Sequence, residues 1–352
     1  MRAAPRSAHA VFFRPAYIRR SLYNPRFQAA ARVKRMHRIG YFLTDGFQVM
    51  AIGTQSVFEF ANVVARERVY SVVNYSLSGG DVHASLGVSV KTEPIHDTTD
   101  ADTWMISGIV DPTQRSSTSA ELAFVRAASE RSRRTAGLCT GAFVLADAGL
   151  LDGKRATTHW AYADALQARC PKAQIEPDHI FVVDGAIWTS AGLTAAMDLA
   201  LGLVEKDLGN EVATKVARVM VMNQRRAGGQ SQQSEMLKLA PKSDRIQTAL
   251  EYARQNLSRP LRIEELARAA HLSTRQFQRI FQSETGQSPA KAVEQLRMEA
   301  ARTMIERGRH PLEVIARETG FRDRNHLREV FVRAFGVSPQ ELRRDARTPI
   351  AA

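Results

Sequence analysis

The stretch Leu266–Leu272 reads LARAAHL, and Ile315–Phe321 reads IARETGF. The residues that follow them correspond one to one: Phe277, Phe281, Gly286, Ser288 and Pro289 in the first copy, and Leu327, Phe331, Gly336, Ser338 and Pro339 in the second. The offset between copies is 49 residues before the turn and 50 after it, so the second copy has one extra residue between its helices. Each copy predicts a short helix, a tight turn and a second helix, which is the helix-turn-helix arrangement. Two such units in one basic segment indicate a protein that binds duplex DNA.

The formal charge of +13 is concentrated at the two ends of the 352-residue chain. Residues 1–36 contain nine Lys and Arg and no acid, and residues 241–352 contain 21 Lys and Arg against 14 Asp and Glu. The remaining middle carries 19 basic and 22 acidic residues. A basic C-terminal segment suits contact with phosphates. The length suffices for two hydrophobic cores, so the mildly acidic middle is expected to have a separate role.

Cysteine content and hydropathy indicate the compartment. Two cysteines, Cys139 and Cys170, are too few for a disulfide framework and are typical of a reducing environment. No stretch has the length and apolar character of a membrane span, and no signal-peptide core is present. We therefore expect a cytoplasmic protein without membrane contact, and we expect neither a cofactor nor a metal site.

The first 36 residues are basic and lack any clear period of apolar residues. A transit peptide and a DNA-binding arm both have such a composition. We favour a disordered or non-native extension, with the native start at Met36, because a strand-like run begins directly after it.

Residues 38–208 alternate strand-like and helix-like runs, which predicts a parallel sheet covered by helices. Residues 209–243 are expected to be a connecting helix and a linker, with a flexible polar stretch at 224–234. An all-α domain with the two helix-turn-helix units is expected at 244–344, followed by a tail at 345–352. The predicted fold class is thus an α/β flavodoxin-like parallel sheet sandwich followed by an all-α domain.

The second helix of each unit is expected to face DNA. On a helical wheel, Phe277 and Phe281 define the buried side, and polar residues able to contact bases or phosphates lie opposite. The predicted DNA contacts are Thr274, Arg275, Gln278, Arg279 and Gln282 in the first unit, and Arg322, Arg324, Asn325, His326 and Arg328 in the second. Glu329 also lies on the exposed side, where it either accepts from cytosine or pairs with a neighbouring Arg. The linking helix that starts at Pro289 is expected to set the units about one DNA turn, roughly 34 Å, apart.

In the middle of the chain, Cys139 stands in the sequence Gly137-Leu138-Cys139-Thr140-Gly141, between a predicted strand and a predicted helix. Glycines on both sides permit a sharp turn that exposes the central side chain at the end of the sheet. The helix N-terminus is expected to stabilise a thiolate. His159 is a candidate base or hydrogen-bond partner, and the alternative is that His159 and Trp160 simply pack.

The segment from about Asp244 to Arg344 resembles the AraC/XylS family of bacterial transcription regulators. The second unit carries the signature in residues Ile315, Ala316, Gly320, Phe321, Phe331, Phe335, Gly336, Ser338, Pro339, Leu342 and Arg343. The resemblance implies base or phosphate contacts from both recognition helices. The chain departs from the family at Glu329, where a basic residue is common.

Residues 38 to about 208 resemble the PfpI-like branch of the class I glutamine amidotransferase-like superfamily. The matching segments are 139–143, 148–153, 156–160 and 189–192. Together the two halves resemble the GlxA-type regulators. This implies a sensor for a small, often nitrogen-containing metabolite, with Cys139, Thr140, Gly108, His159 and Trp160 in its pocket. The implied partners are promoter DNA, the effector, RNA polymerase and a second copy in a homodimer, and the implied location is the bacterial nucleoid when bound.

An enzymatic function is the alternative, with Cys139 as nucleophile and His159 as its partner in a hydratase or amidase. Two departures disfavour it. Thr140 follows the cysteine where peptidase-like members have His, and Ala51 takes the place of the acid in hydratase-like members. A thiolate without an acid-base partner is a poor catalyst, so we expect a binding site rather than an enzyme.

Overall fold

A computed structural model describes residues 36–222, 226, 228–308 and 310–347. The described residues all lie within the unit that begins at Met36, and residues 1–35 are not among them. The expectations for the basic extension therefore lie outside the described residues.

The apolar runs of the first half form the strands, which are β1 (His37–Phe42), β2 (Tyr70–Ser76), β3 (Gly80–His83), β4 (Ser89–Pro94), β5 (Thr103–Ile106), β6 (Arg134–Leu138), β7 (Arg155–Ala156), β8 (Gln174–Ile175), β9 (Phe181–Asp184) and β10 (Ile187–Ser190). Eight of them make one sheet in the order β3-β4-β2-β1-β5-β6-β10-β9, and β7 pairs with β8. The central pairs are parallel, while β3–β4 and β9–β10 are antiparallel. The antiparallel pairs thus lie at the two edges of a parallel-dominated sheet.

The helices of this region are α1 (Met50–Gly53), α2 (Gln55–Ala65), α3 (Ser119–Arg131), α4 (Gly141–Asp147), α5 (Ala163–Arg169), α6 (Leu193–Leu208) and α7 (Asn210–Val219). Helices α2, α6 and α7 pack together in one group, and α3, α4 and α5 share a core that contains Phe124, Phe143 and Leu166. The predicted α/β flavodoxin-like class is confirmed. Helices α1 and α2 are separated by Thr54, whose buried hydroxyl donates to Ala51 O at 2.6 Å.

The C-terminal region is entirely helical in its described part. Its helices are α8 (Glu235–Leu239), α9 (Asp244–Gln255), α10 (Ile263–Ala269), α11 (Thr274–Thr285), α12 (Pro289–Arg307), α13 (Leu312–Glu318), α14 (Arg324–Phe335) and α15 (Pro339–Arg347). Two cores, one around Phe277 and Phe281 and one around Leu327 and Phe331, correspond to the two units. None of the described helices combines the length and apolar character needed to cross a bilayer.

The two helix-turn-helix units have corresponding backbone geometry at their turns. His271 in the first unit and Gly320 in the second both have left-handed backbone angles, with φ of +53° and +77°. The following residues, Leu272 and Phe321, donate their N–H to the carbonyls of Ala267 and Ala316 at 2.9 and 2.8 Å. The helix cap Ser273 comes directly after Leu272, but Asp323 comes two residues after Phe321. The predicted extra residue is confirmed, and it stands at Arg322.

The polar stretch between the two regions forms hydrogen bonds with residues in and next to β9 at the edge of the sheet. Gly228 O, Gln230 O and Gln232 N exchange hydrogen bonds of 2.9–3.3 Å with Phe181 N, Ile180 N and Asp178 O, respectively. This pairing adds a short antiparallel segment alongside the approach to β9, with a bridge between His179 and Ser231. The prediction of a flexible linker is therefore wrong for residues 228–232. Residues 223–225 and 227 lie outside the described part.

Candidate functional site

Helix α11 has the form expected of a DNA-recognition helix. Its N-terminus is closed by a capping box in which Ser273 and Gln276 satisfy each other's backbone N–H groups. Phe277 and Phe281 are fully buried beneath it. The predicted contact residues lie on the other side, where Arg275, Gln278, Arg279 and Gln282 are exposed and Thr274 is half-buried. The exposed face thus offers two guanidinium groups and two amides, which suit guanine, adenine and phosphate.

Helix α14 presents a second face of different electrostatic character. Arg322, Arg324, Asn325 and Arg328 are exposed, and His326 is half-buried. Arg322 pairs with Asp323 at 3.0 Å and Arg324 pairs with Glu313 at 3.1 Å. The His326 ring packs against Phe321 at 5.6 Å, and its Nδ1 lies 3.3 Å from Arg322 N, from which it accepts. Part of the positive charge in the second unit is therefore engaged by acids of the same unit.

Cys139 occupies the turn between β6 and α4, as the sequence predicted. Its φ of +54° is left-handed, a costly conformation for a residue with a side chain. The turn is held from two sides, because Thr158 Oγ1 donates to Cys139 O at 3.0 Å and Thr140 Oγ1 donates to Ile109 O at 2.6 Å. A Cβ at Gly108 would lie 2.1 Å from Thr140 Oγ1, so only glycine fits beside this turn.

The Cys139 side chain is buried, with 3% of its surface exposed. Burial raises the pKa of its thiol to about 11, although a backbone hydrogen bond from Thr140 acts in the opposite direction. The expectation that the helix N-terminus would stabilise a thiolate is wrong, because desolvation outweighs the backbone groups. At neutral pH the group is a thiol, which is a weak nucleophile.

Gly108 and Thr140 line a small cavity at the carboxyl ends of β1, β5 and β6. Its other walls include Thr44, Arg115 and Phe143, and its volume is about 20 Å³, which is about the space of one water molecule. Ligands of open α/β sheets bind at this end, near the point where the strand order changes direction, here between β1 and β5. A metabolite would need the surrounding side chains or loops to move.

His159 and Trp160 do not line this cavity and lie in the segment that follows β7, as does Thr158, which donates to Cys139 O. The His159 ring is 5.5 Å from the Trp160 ring and 6.2 Å from that of Tyr162, and its Nδ1 accepts from Ala161 N at 3.3 Å. Burial lowers the pKa of His159 below its ordinary value. Trp160 is 54% exposed, so packing alone does not account for it.

Three further residues belong to this region and were not predicted. Tyr162 donates its hydroxyl to Val110 O at 3.0 Å. Arg115 donates to Thr44 Oγ1 at 2.9 Å and pairs with buried Glu121 at 2.7 Å. Gln232 reaches the loop of His159 from the polar stretch. The aromatic run around Trp160 gave a sequence indication for Tyr162, but the other two are distant in sequence from the residues they contact.

Other features of the described residues do not suit a reaction centre. Asp45 lies 3.7 Å from His83 in an exposed pair, and Glu59 is exposed on α2, so neither replaces the acid missing at Ala51. Glu59 lines an open groove of about 280 Å³ beside Tyr70, at the amino end of β2 and away from the ligand-binding end of the sheet. No group of three or more metal-ligating side chains occurs within the described ranges.

Comparison with protein families gives two matches along the chain. Residues 39–206 match the DJ-1/PfpI family, and residues 266–345 match a helix-turn-helix domain. The two matches coincide with the α/β region and the C-terminal helical region.

Two curated relatives match the chain over most of their length. The chain is 29% identical over 309 residues to the HTH-type transcriptional regulator GbdR of Pseudomonas aeruginosa, covering 87% of this chain and 83% of that protein. It is 29% identical over 327 residues to the HTH-type transcriptional regulator GlxA of Rhizobium meliloti, covering 90% of this chain and 98% of that protein. An isonitrile hydratase of Pseudomonas putida is 42% identical, but over 95 residues, which are 27% of this chain and 40% of the enzyme.

Proposed function

We propose that the chain is a transcription regulator of the AraC type, with a DJ-1/PfpI domain preceding its helix-turn-helix domain. Residues 38–208 form a sensor, residues 244–344 form the DNA-binding domain, and residues 209–243 connect them. The sensor binds a small metabolite, with nitrogen-containing compounds as the first class to test. Binding changes how the two recognition helices engage a promoter.

The exposed face of α11 carries this proposal. Arg275, Gln278 and Arg279 project from a helix whose opposite side is fixed by buried phenylalanines, so they enter a major groove without rearrangement. The face of α14 follows in the next groove of an asymmetric site. RNA polymerase is the further macromolecular partner, because a regulator that binds beside a promoter acts on transcription, and we propose a homodimer as the active assembly in the cytoplasm.

The sensor site comprises Cys139, Thr140, Gly108, His159 and Trp160. The buried, protonated thiol and the missing acid at Ala51 disfavour catalysis. The small size of the cavity beside Thr140 fits a site that opens when its ligand enters. The enzymatic alternative retains one supporting observation, namely the local similarity to an isonitrile hydratase.

A thermal-shift screen tests the sensor. Ligand binding raises the unfolding temperature by mass action, so amino acids, betaines and polyamines are added in turn to the full chain. A compound that raises the melting temperature of the wild type should have a reduced or no effect on Cys139→Ala. If Cys139→Ala responds equally to every active compound, the site is elsewhere.

The same variant separates the two functions. The wild type is incubated with an isonitrile, a nitrile and an amide, and product is measured. No turnover by either protein is the expected result. Turnover by the wild type that Cys139→Ala lacks would establish the enzyme and overturn our assignment of Cys139 to a binding pocket.

A further inference from the structure

Residues Gly228–Gln232, which we name the strap, contact both the candidate sensor site and the DNA-binding region. Their backbone pairs with residues 178–181 at the edge of the sheet. Their side chains reach in two directions, toward the loop that carries His159 and toward helix α12. A change in structure at the sensor site can therefore alter the contacts of helix α12 through the strap.

At the sensor end, the side-chain amide of Gln232 is held by residues on both sides of His159 and by the segment before β9. Its Nε2 lies 2.8 Å from Thr158 O, 2.7 Å from Pro177 O and 3.1 Å from His179 O, and it donates to these carbonyls. Its Oε1 accepts from Trp160 N at 2.9 Å. One amide thus joins the loop that contains Thr158 and Trp160 to the segment 177–179 that precedes β9. Thr158 also donates to Cys139 O, so the loop, the cysteine turn and the strap are directly connected.

At the other end, the strap lies against the C-terminal half of α12, the helix that joins the two helix-turn-helix units. A Cβ at Gly229 would be 3.3 Å from an Arg302 guanidinium nitrogen. The Gln230 side chain donates to Glu306, whose carboxylate also pairs with Arg302 at 3.1 Å. Glu306 is 3% exposed, and burial raises the pKa of its carboxyl. These contacts place the strap on a buried charged pair of the helix.

Arg302 extends the connection to the second recognition helix. Its guanidinium lies 4.7 Å from the centre of the Phe335 ring, in the last turn of α14. A cation over an aromatic face is a favourable contact that depends on its position. Phe335 in turn packs on Phe331, in the core of the second unit, at 4.6 Å. A shift of Arg302 would therefore alter the support of α14, whereas the first unit has its own separate core.

Two buried polar atoms at the contact between the strap and α12 lack hydrogen-bond partners among the described residues. Ser231 Oγ and Glu306 Oε2 are both buried and make no hydrogen bond within the described part of the chain. Buried unpaired polar atoms are rare and costly, so an arrangement of the strap that paired them would recover free energy. An element with two nearby arrangements is what a switch requires.

We propose that the strap transmits the state of the sensor site to the second recognition helix. It does so by changing its hydrogen bonds with the His159 loop together with its contacts with the Arg302–Glu306 pair. The proposal rests on the proposed regulatory function and deepens it. Movement of the Trp160 loop on effector binding would release or retain Gln232, and the strap would then shift its contacts with α12. By linkage, DNA bound to the second unit would act back on the sensor site to the same extent.

Hydrogen exchange of the full chain, without effector or DNA, tests the connection through Gln232→Ala. We expect roughly fivefold faster exchange, the factor given by loss of one typical hydrogen bond, at residues 157–160 and also at 302–306 and in the last turn of α14. Helices α10 and α11 should be unchanged. The matched control is Gln233→Ala, which alters the same residue type one position later. Faster exchange confined to the sensor side, or equal effects of both variants, would overturn the proposal.

Two further variants secure the result. Gln232→Glu keeps the side-chain shape but turns a carboxylate toward carbonyl oxygens, and it should reproduce the effect even where Gln232→Ala is too unstable to measure. In a Gln230→Ala background, Gln232→Ala should no longer accelerate exchange at 302–306, since the contact with Glu306 is already lost. An undiminished effect would exclude the strap as the link. Because no DNA is present, these results are independent of whether the chain binds a promoter.

Discussion

The two helix-turn-helix units share one skeleton but differ at the residue that makes the turn. In the first unit His271 adopts the left-handed conformation at an exposed position. In the second unit Gly320 does so, and a Cβ there would lie 1.9 Å from Leu257 O and 2.6 Å from Arg297 Nε. The first turn tolerates a side chain because nothing covers it. The second turn requires glycine because it is pressed against the chain that follows α9.

The units also differ in charge. Arg275 and Arg279 on α11 are exposed, whereas Arg322 and Arg324 of the second unit pair with acids of their own unit. The second unit is thus packed against the first through its turn and partly neutralised at its DNA-facing end. We therefore expect most of the direct base recognition to come from the first unit, and we expect the second unit to depend more on the residues packed around it.

The largest expected effect is the loss of stability caused by Gly320→Ala. The substitution meets both a left-handed backbone and a backbone oxygen at 1.9 Å that cannot move freely, and we expect a loss of about 3 kcal/mol in the free energy of unfolding. Urea unfolding of the full chain measures it.

Gly336→Ala is the matched control, since Gly336 has a φ of +71° and nothing within 4 Å of an added Cβ. It should cost about 1 kcal/mol, from backbone strain alone. Equal losses in the two variants would show that the second turn is not constrained by Leu257.

The next effect is on specific DNA binding. Arg279→Ala should weaken binding by about 1–3 kcal/mol, the usual range for one lost bidentate contact with a base. Glu329→Ala, at an exposed position of α14, should leave affinity unchanged or raise it by removing a negative charge. Titration of a labelled promoter duplex with each variant decides between the units, and a greater loss from Glu329→Ala would reverse the assignment.

The smallest effect is expected from Glu313→Gln. It removes the acid that pairs with Arg324, an exposed pair that contributes little to folding. The freed guanidinium should make the logarithm of the binding constant fall more steeply with the logarithm of salt concentration, by about 0.9 for one added phosphate contact. If the affinity for DNA and its salt dependence are both unchanged, Arg324 does not face the DNA phosphates.

Much of this architecture is predictable from local sequence. The repeated pattern predicted the two helix-turn-helix units and one extra residue in the second, because these features depend on neighbouring residues. The caps of the structure identify that residue as Arg322. The parallel sheet covered by helices followed from the alternation of strand-like and helix-like runs over residues 38–208. The edge hairpin of β3 and β4 was not predicted, since its short polar strands have little apolar pattern.

The site was less predictable because its properties come from contacts distant in sequence. The state of Cys139 depends on how deeply the fold buries its thiol, which the Gly-x-Cys-x-Gly spacing does not report. Gln232 was assigned to a flexible linker on composition, but its partners at 157–160 and 177–179 lie more than fifty residues earlier. The sequence shows that Gln232 can donate and accept hydrogen bonds, but only the fold identifies its partners.

Footprinting of the full chain on the DNA upstream of its own gene tests the central claim most directly. At physiological salt, the account predicts protection of two adjacent major-groove segments about one helical turn, roughly 34 Å, apart. The double variant Arg275→Ala, Arg279→Ala should lose the protection of one segment and most of the specific affinity. The same weak, salt-sensitive affinity of the wild type for every duplex, including this one, would contradict the assignment as a sequence-specific regulator.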